Sequence, residues 1–126
     1  MGLTLAVFIG GGLGACARYG LAVFARRLLP ASLVPWGTLA ANVLGCLLLG
    51  FLAALFAVRE DTSPAIKLGA TTGFMGGLTT FSTFSHETLI LFNNGRPGLA
   101  AANLGANLLL GIGAAACGAL LAGRVA

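Results

Sequence analysis

The chain has 126 residues, of which 58% are hydrophobic and only 8% are charged, and its formal net charge is +4. Charged residues are too few to cover the surface of a soluble domain, which excludes an ordinary soluble protein. The basic residues do not form a dense cluster, so the composition favours contact with membrane lipid and argues against nucleic-acid binding.

Four apolar stretches are long enough to cross a membrane as helices, which takes about 20 residues each. They lie at approximately 3–23, 36–58, 67–92 and 98–121. We therefore predict an all-α membrane protein in which residues 1–126 form a single domain with four transmembrane helices. The first stretch is not typical of a cleaved signal peptide, because no basic region precedes it and Arg18 comes late.

Basic residues are balanced between the two sides of the predicted bundle. With four spans, one side carries Arg59, Lys67 and Arg124, and the other carries Arg26, Arg27 and Arg96. Counting Arg18 makes the totals four and three. Because orientation follows asymmetry in lysine and arginine, this balance predicts insertion both ways and pairing of opposite copies as an antiparallel dimer. The alternative is that one late charge decides a single orientation. Four helices of this size enclose little space, so we expect an oligomer.

Glycines repeat every four residues on two of the predicted helices. Gly10 and Gly14 do so on the first, and Gly69, Gly73 and Gly77 on the third. Such repeats let helix backbones approach closely in lipid, where close packing replaces the hydrophobic effect. The segment "GGGLGACARYG" matches only a weak variant of the dinucleotide-binding fingerprint and lies inside a predicted span, so we reject a nucleotide site.

Asparagines inside the predicted spans are candidates for function, since polar groups are costly in lipid unless they face protein or water. Asn42 lies in the second span, one turn after Thr38. Asn103 and Asn107 are one turn apart in the fourth span, so they share a helix face. Two interpretations stay open. The amides hold helices together by hydrogen bonds, or their N–H groups donate to an anion.

The segment "GGLTTFSTFSHE", residues 76–87, is unusually polar for an apolar helix. Gly76 and Gly77 make a break in the helix inexpensive, about ten residues into the third span and near the bilayer centre. At such breaks, free carbonyls hold cations and half-helix N-termini favour anions. Phe81 and Phe84 are three residues apart, so their rings are expected to point the same way. The alternative is a continuous helix whose hydroxyls bond back to its own carbonyls, with the phenylalanines as packing.

The sequence contains no pattern typical of an enzyme. His86 and Glu87 are adjacent and point apart on a helix, so they form no proton-relay pair. No carboxylate pair, nucleophile with a base, phosphate-binding loop or metal-ligand cluster is present. Cys16, Cys46 and Cys117 are scattered through the spans and are interpreted as small apolar residues.

Three segments together resemble the Fluc, or CrcB-type, family of small bacterial fluoride ion channels. They are "GGGLGACARYGL", "GTLAANVLGCLLLGFL" and "GFMGGLTTFSTFSHE", of which the last is the most specific. The resemblance implies a passive, fluoride-selective channel that exports fluoride across the bacterial cytoplasmic (inner) membrane. It also implies an antiparallel, dual-topology homodimer with two pores.

The site residues follow from the same resemblance. It implies a structural sodium ion (Na+) at the dimer centre, held by the backbone carbonyls of Gly76 and Thr79 from both subunits. It places in the fluoride pore the ring edges of two phenylalanines, a track of hydroxyls and the amides of three asparagines: Phe81, Phe84, Thr38, Ser82, Thr83, Asn42, Asn103 and Asn107. The resemblance also maps Arg18 to the basic residue at the end of the first helix and Glu87 to the acidic residue that ends the third motif.

The chemistry of fluoride fits this set of residues. A small, strongly hydrated anion needs many weak donors at short intervals and no strong fixed charge that would trap it. Two rival interpretations explain less. A proton-coupled small multidrug exporter would need an acidic residue in the first span, which has none. A structural membrane subunit would account for the glycine repeats but leaves the clustered hydroxyls unexplained.

Overall fold

The protein is described by a computed structural model that covers residues 1–125, and this part of the chain is all-helical. Its elements are α1 (Gly2–Leu28), α2 (Trp36–Val58), α3 (Pro64–Leu68), a π-helical stretch (Gly69–Met75), α4 (Gly76–Leu78), α5 (Phe81–Asn93) and α6 (Pro97–Ala122). Among these, α1, α2 and α6 are long and apolar enough to cross a membrane. The all-α prediction is confirmed.

The third span is broken, as the polar segment predicted. Between α4 and α5 the backbone is extended at Thr79, with ψ 153°, and at Thr80, with ψ 117°. The break therefore lies just after the glycine pair, since Gly76 and Gly77 are themselves helical. The position has a physical reason, because β-branched threonine tolerates extended backbone and is a good helix cap. We call residues 64–93 the broken segment.

The glycine repeats bring α1 and the broken segment into backbone contact. A Cβ atom added at Gly10 would overlap the carbonyl oxygen of Gly69, and one added at Gly14 would overlap that of Phe74. Likewise, a Cβ atom at Gly77 would overlap the Gly11 carbonyl oxygen. The close approach predicted from the repeats is therefore confirmed, and only glycine fits at these crossings.

Helix α2 packs most extensively against α6. Glycines again set the distance, since a Cβ atom at Gly50 would overlap the Ala115 carbonyl oxygen and one at Gly118 that of Leu47. On its other side α2 contributes Ala41 to a small buried cluster with Met75 and Leu78. The broken segment is thus held between α1 and α2.

Lys67 ties the start of the broken segment to the end of α2. Its ammonium group donates to the carbonyl oxygens of Phe56 at 3.0 Å and Arg59 at 2.9 Å. It also lies 5.9 Å from the centre of the Phe56 ring. A cation at the C-terminal end of a helix satisfies free carbonyls and opposes the helix dipole, so Lys67 acts as a cap for α2.

Candidate functional site

Asn42 on α2 holds the break in the third segment through two hydrogen bonds. The backbone N–H of Thr80 donates to Asn42 Oδ1 at 2.8 Å, and Asn42 Nδ2 donates to the Thr80 carbonyl oxygen at 3.3 Å. The side-chain amide thus pairs with the backbone of one residue as a neighbouring strand would. This pairing explains why the chain is extended here, since the helix loses a donor to α2.

The break leaves two backbone carbonyls without the donors that a helix would supply. In a continuous α-helix the N–H of Thr80 would donate to Gly76, and the N–H of Thr83 to Thr79. Instead Thr80 donates to Asn42, and Thr83 donates to Thr80 Oγ1 at 3.2 Å. Gly76 and Thr79 supply the carbonyls that the resemblance assigns to sodium. Carbonyl oxygens are ligands that suit a hard cation.

The three asparagines form one continuous chain of hydrogen bonds between helices. Asn42 Nδ2 donates to Asn107 Oδ1 at 2.8 Å, and Asn107 Nδ2 donates to Asn103 Oδ1 at 3.2 Å. Asn103 Nδ2 donates to Thr88 Oγ1 at 2.8 Å, and Thr88 donates in turn to the Phe84 carbonyl oxygen at 2.8 Å. The chain links α2, α6 and α5.

Of the two interpretations of the asparagines, the helix-linking one describes the contacts. Asn103 and Asn107 are only 3% and 9% exposed. Asn42 Nδ2 carries two hydrogens and has two protein acceptors, Thr80 and Asn107. Donation from Asn42 to an anion would require one of these bonds to open.

The hydroxyls of the predicted polar segment divide into two groups. Thr80 Oγ1 donates to Thr83 Oγ1 at 3.1 Å and lies 3.2 Å from Ser82 Oγ, so three hydroxyls cluster at the start of α5. Thr79 and Ser85 instead donate to the carbonyls four residues earlier, those of Met75 and Phe81. Both sequence-based alternatives therefore occur, each for different residues.

Phe81 and Phe84 contact each other edge to face. Their ring centres are 5.7 Å apart and the ring planes meet at 63°. Phe84 is 4% exposed, whereas Phe81 is 77% exposed. The expectation that both rings point the same way is therefore only partly right, because one ring lies inside the subunit and the other projects from it. Phe81 is the first residue of α5, at the break, where few neighbouring side chains cover it.

An open cleft of about 540 Å³ brings together four of the predicted residues, Arg18, Thr38, Thr83 and Glu87. Thr38 Oγ1 donates to Glu87 Oε1 at 2.9 Å. The second carboxylate oxygen of Glu87 is buried and has no hydrogen-bond partner within residues 1–125. We call this the α1–α2 cleft, because α1, the following loop and the start of α2 form most of its wall.

Two residues of this site, Thr80 and Thr88, are not among the site residues predicted from the sequence. Thr80 caps α5 through its side chain and also pairs with Asn42. Threonine is a favoured N-cap residue, so a threonine directly before a helical run is the signal that could have found Thr80. Thr88 lies one turn after Phe84 and ends the asparagine chain, but nothing in its local sequence distinguishes it from other hydroxyls of the segment.

No carboxylate or imidazole cluster accompanies the polar site. In the part of the chain that the structure describes, no group of three or more His, Cys, Asp or Glu side chains is placed to hold a metal ion. The three cysteines are free thiols, two of them exposed on the helix surfaces.

The fold and site define a helical, multi-pass membrane protein with a polar site at a broken segment. Comparison with known proteins places it in a family. The family model described as "CrcB-like protein, Camphor Resistance (CrcB)" matches residues 5–119. The chain belongs to this CrcB-like family, as the resemblance implied.

Relatives with the name "Fluoride-specific ion channel FluC" cover nearly the whole chain. The protein from Salinibacter ruber is 46% identical over 125 residues, which are 95% of this chain and 92% of the relative. The protein from Escherichia fergusonii is 50% identical over 107 residues, 85% and 83% of the two chains. The one from Variovorax paradoxus is 46% identical over 110 residues, 84% and 86%.

These relatives are bacterial and are named as ion channels, so the expectation that the chain is not an enzyme is confirmed by its family. The family and the apolar helices also place the chain in the bacterial inner membrane, as expected.

Proposed function

We propose that the chain is a passive, fluoride-selective channel that exports fluoride across the inner membrane. The observation that carries this proposal is the polar break at Thr79–Thr80, which the Asn42 amide holds open inside an otherwise apolar bundle. The names of the relatives, each a fluoride-specific ion channel, supply the identity of the ion.

The polar groups form a connected set that suits a conduction path. Thr38, Glu87 and Thr83 all line the α1–α2 cleft. Thr83 is hydrogen-bonded to Thr80 at the break, beside Ser82 and the Phe81 ring. Hydroxyls and the positive edges of aromatic rings replace water around a small anion without a fixed charge that would trap it.

A sodium ion at the break is the second part of the proposal. The carbonyls of Gly76 and Thr79 are supported as ligands because the N–H groups that would occupy them donate elsewhere. A cation there attracts fluoride from a distance without lining the path.

The third part is an antiparallel, dual-topology homodimer with two pores. In each subunit α1, α2, the broken segment and α6 cross the membrane, which gives four crossings. Phe81 supports this assembly because it exposes 77% of its surface at the break, where a second copy would cover it. The even distribution of basic residues supports insertion in both orientations.

Fluoride efflux from liposomes that contain the purified protein tests the function. We expect rapid release of fluoride at a fluoride electrode and no release of chloride in a parallel measurement. Phe81→Ile and Asn42→Asp are expected to abolish most of the release. Absence of fluoride release from a folded dimer would contradict the proposal, and proton-coupled drug transport would then be measured.

Sodium is tested by purification in lithium or in a large organic cation. We expect slower fluoride efflux and a lower midpoint of thermal unfolding in detergent, both restored by added sodium. Equal stability and equal efflux without sodium would contradict a structural sodium ion.

A further inference from the structure

The α1–α2 cleft contains a second arginine besides Arg18. Arg18, Ala22 and Arg26 all line it, and their spacing of four residues places them on one face of α1. We infer that Arg26 captures fluoride at the outer end of this cleft and passes it inward toward Arg18. This inference rests on the proposed function, since it names an entry site for the same ion.

The position of Arg26 at the outer end follows from helix packing. A Cβ atom added at Gly37 would lie 2.6 Å from Ala22 Cα, so the backbones of α1 and α2 are in contact at this level. Arg26 is one turn beyond Ala22 toward the loop at 29–35, and Arg18 is one turn toward the bundle interior. The two arginines are thus about 12 Å apart along the helix axis.

The guanidinium of Arg26 has more N–H donors than its one hydrogen bond to the protein uses. Its Nε donates to the Ala22 carbonyl oxygen at 3.4 Å, which directs the side chain along the cleft wall. A guanidinium has five N–H donors, so the two terminal nitrogens stay available for an anion. Arg26 is exposed and Arg18 is half-buried, as expected for an outer and an inner position.

The charges of the cleft favour an anion at its outer end. Within residues 1–125, Arg18, Arg26 and Glu87 are the charged residues that line it. The carboxylate of Glu87 is engaged by Thr38, whose hydroxyl donates to one of its oxygens. A cleft with one sign of charge at its entrance raises the local concentration of the opposite ion and thereby the entry rate.

Arg27 is a matched control for Arg26. It is adjacent, it has the same charge, and both lie in the last turn of α1, where a cation favours the helix dipole. Arg27 does not line the cleft. A general effect of surface charge or of helix stability would therefore appear in both variants, whereas capture in the cleft requires Arg26.

The experiment measures initial fluoride efflux against fluoride concentration in vesicles of phosphatidylcholine alone, at low ionic strength. We expect Arg26→Gln to raise the half-saturating fluoride concentration about three- to tenfold, as loss of one charge ~3–6 Å from the ion would give in water. The maximal rate stays unchanged. Arg27→Gln behaves like the unmodified chain, and Arg26→Lys restores most of the affinity. Added impermeant salt reduces the difference.

Three outcomes would overturn the inference. Equal half-saturation for Arg26→Gln and Arg27→Gln would reduce the effect to general surface charge. A difference seen only after addition of phosphatidylglycerol would show that Arg26 serves an anionic lipid headgroup. A fall in maximal rate with unchanged half-saturation would make Arg26 structural. The proposed function fails separately, since it fails when the unmodified chain releases no fluoride.

Discussion

The side chain of Asn42 and the backbone of Thr80 are joined by two hydrogen bonds, of 2.8 Å and 3.3 Å. One amide therefore decides where the third segment stops being a helix. Asn42→Asp keeps an acceptor for the Thr80 N–H but can donate neither to Thr80 nor to Asn107. We expect a loss of about 1–3 kcal/mol in unfolding free energy, the cost of buried groups left without partners.

Fluoride efflux through Asn42→Asp is expected to fall about tenfold or more, the factor that corresponds to ~1.4 kcal/mol in a barrier. Thermal unfolding in detergent and electrode-monitored efflux measure the two effects. Asn93→Asp introduces the same charge at an exposed helix end and serves as the control. Similar results for both variants would contradict the role of the Asn42–Thr80 pairing.

Gly45 on α2 leaves room for the break. A Cβ atom at this position would overlap Thr79 Cγ2, and Thr79 cannot rotate freely because its hydroxyl donates to Met75 at 2.9 Å. We expect Gly45→Ala to displace the break, to cost about 1–3 kcal/mol in stability and to slow fluoride efflux. Gly113→Ala is the control, since no atom lies within 4 Å of its added Cβ. Normal efflux through Gly45→Ala would show that the break does not depend on this contact.

Replacement of two glycines on α1 by alanine is expected to change the free energy of unfolding in opposite directions. Gly14→Ala places a methyl group against the Phe74 carbonyl oxygen, and separation of the helices should cost about 1–3 kcal/mol. Gly12→Ala meets open space and should gain about 0.5–1 kcal/mol, because alanine favours a helix over glycine. Thermal unfolding in detergent ranks the two. A Gly14→Ala variant as stable as Gly12→Ala would disprove the close approach of α1 and the broken segment.

The Thr38–Glu87 hydrogen bond is suited to a double-mutant cycle. Thr38→Val removes the donor to Oε1 and leaves a partly buried carboxylate without any protein partner for either oxygen. We expect it to cost about 1–3 kcal/mol in unfolding free energy in the Glu87 background. The cost should be clearly smaller in the Glu87→Gln background, with a coupling of about 0.5–3 kcal/mol.

Thr72→Val is the control for this cycle, since Thr72 is exposed on the π-helical stretch. Additive effects of Thr38→Val and Glu87→Gln would mean that the two side chains do not interact in the membrane.

Local sequence predicted the elements that depend on composition and spacing. Runs of apolar residues indicated helices, and glycines four apart indicated a close approach of helix backbones, which Gly10 and Gly14 make with the broken segment. Those features depend only on residues close in the chain and on general rules of membrane packing. The polar segment was also recognised, because hydroxyls are costly in lipid.

The details of the site could not be predicted because they depend on partners distant in sequence. The break lies at Thr79–Thr80, after the glycine pair, because Asn42 is 38 residues away and pairs with Thr80. The Asn42–Asn107 bond spans 65 residues and commits an amide that the sequence left open to an anion. The different exposure of Phe81 and Phe84 likewise follows from packing around the break.

The cap that Lys67 provides for α2 bears on how the chain assembles during synthesis. Its bonds to Phe56 and Arg59 join residues only 11 and 8 positions apart, so they need nothing beyond the hairpin itself. Helix α6, the most extensive partner of α2, leaves the ribosome after both α2 and the broken segment. The hairpin of α2 and the broken segment can therefore close first. Helix α6 then packs against the surface of α2 around Gly50 once it has been made. The helices therefore assemble in the order in which they are translated.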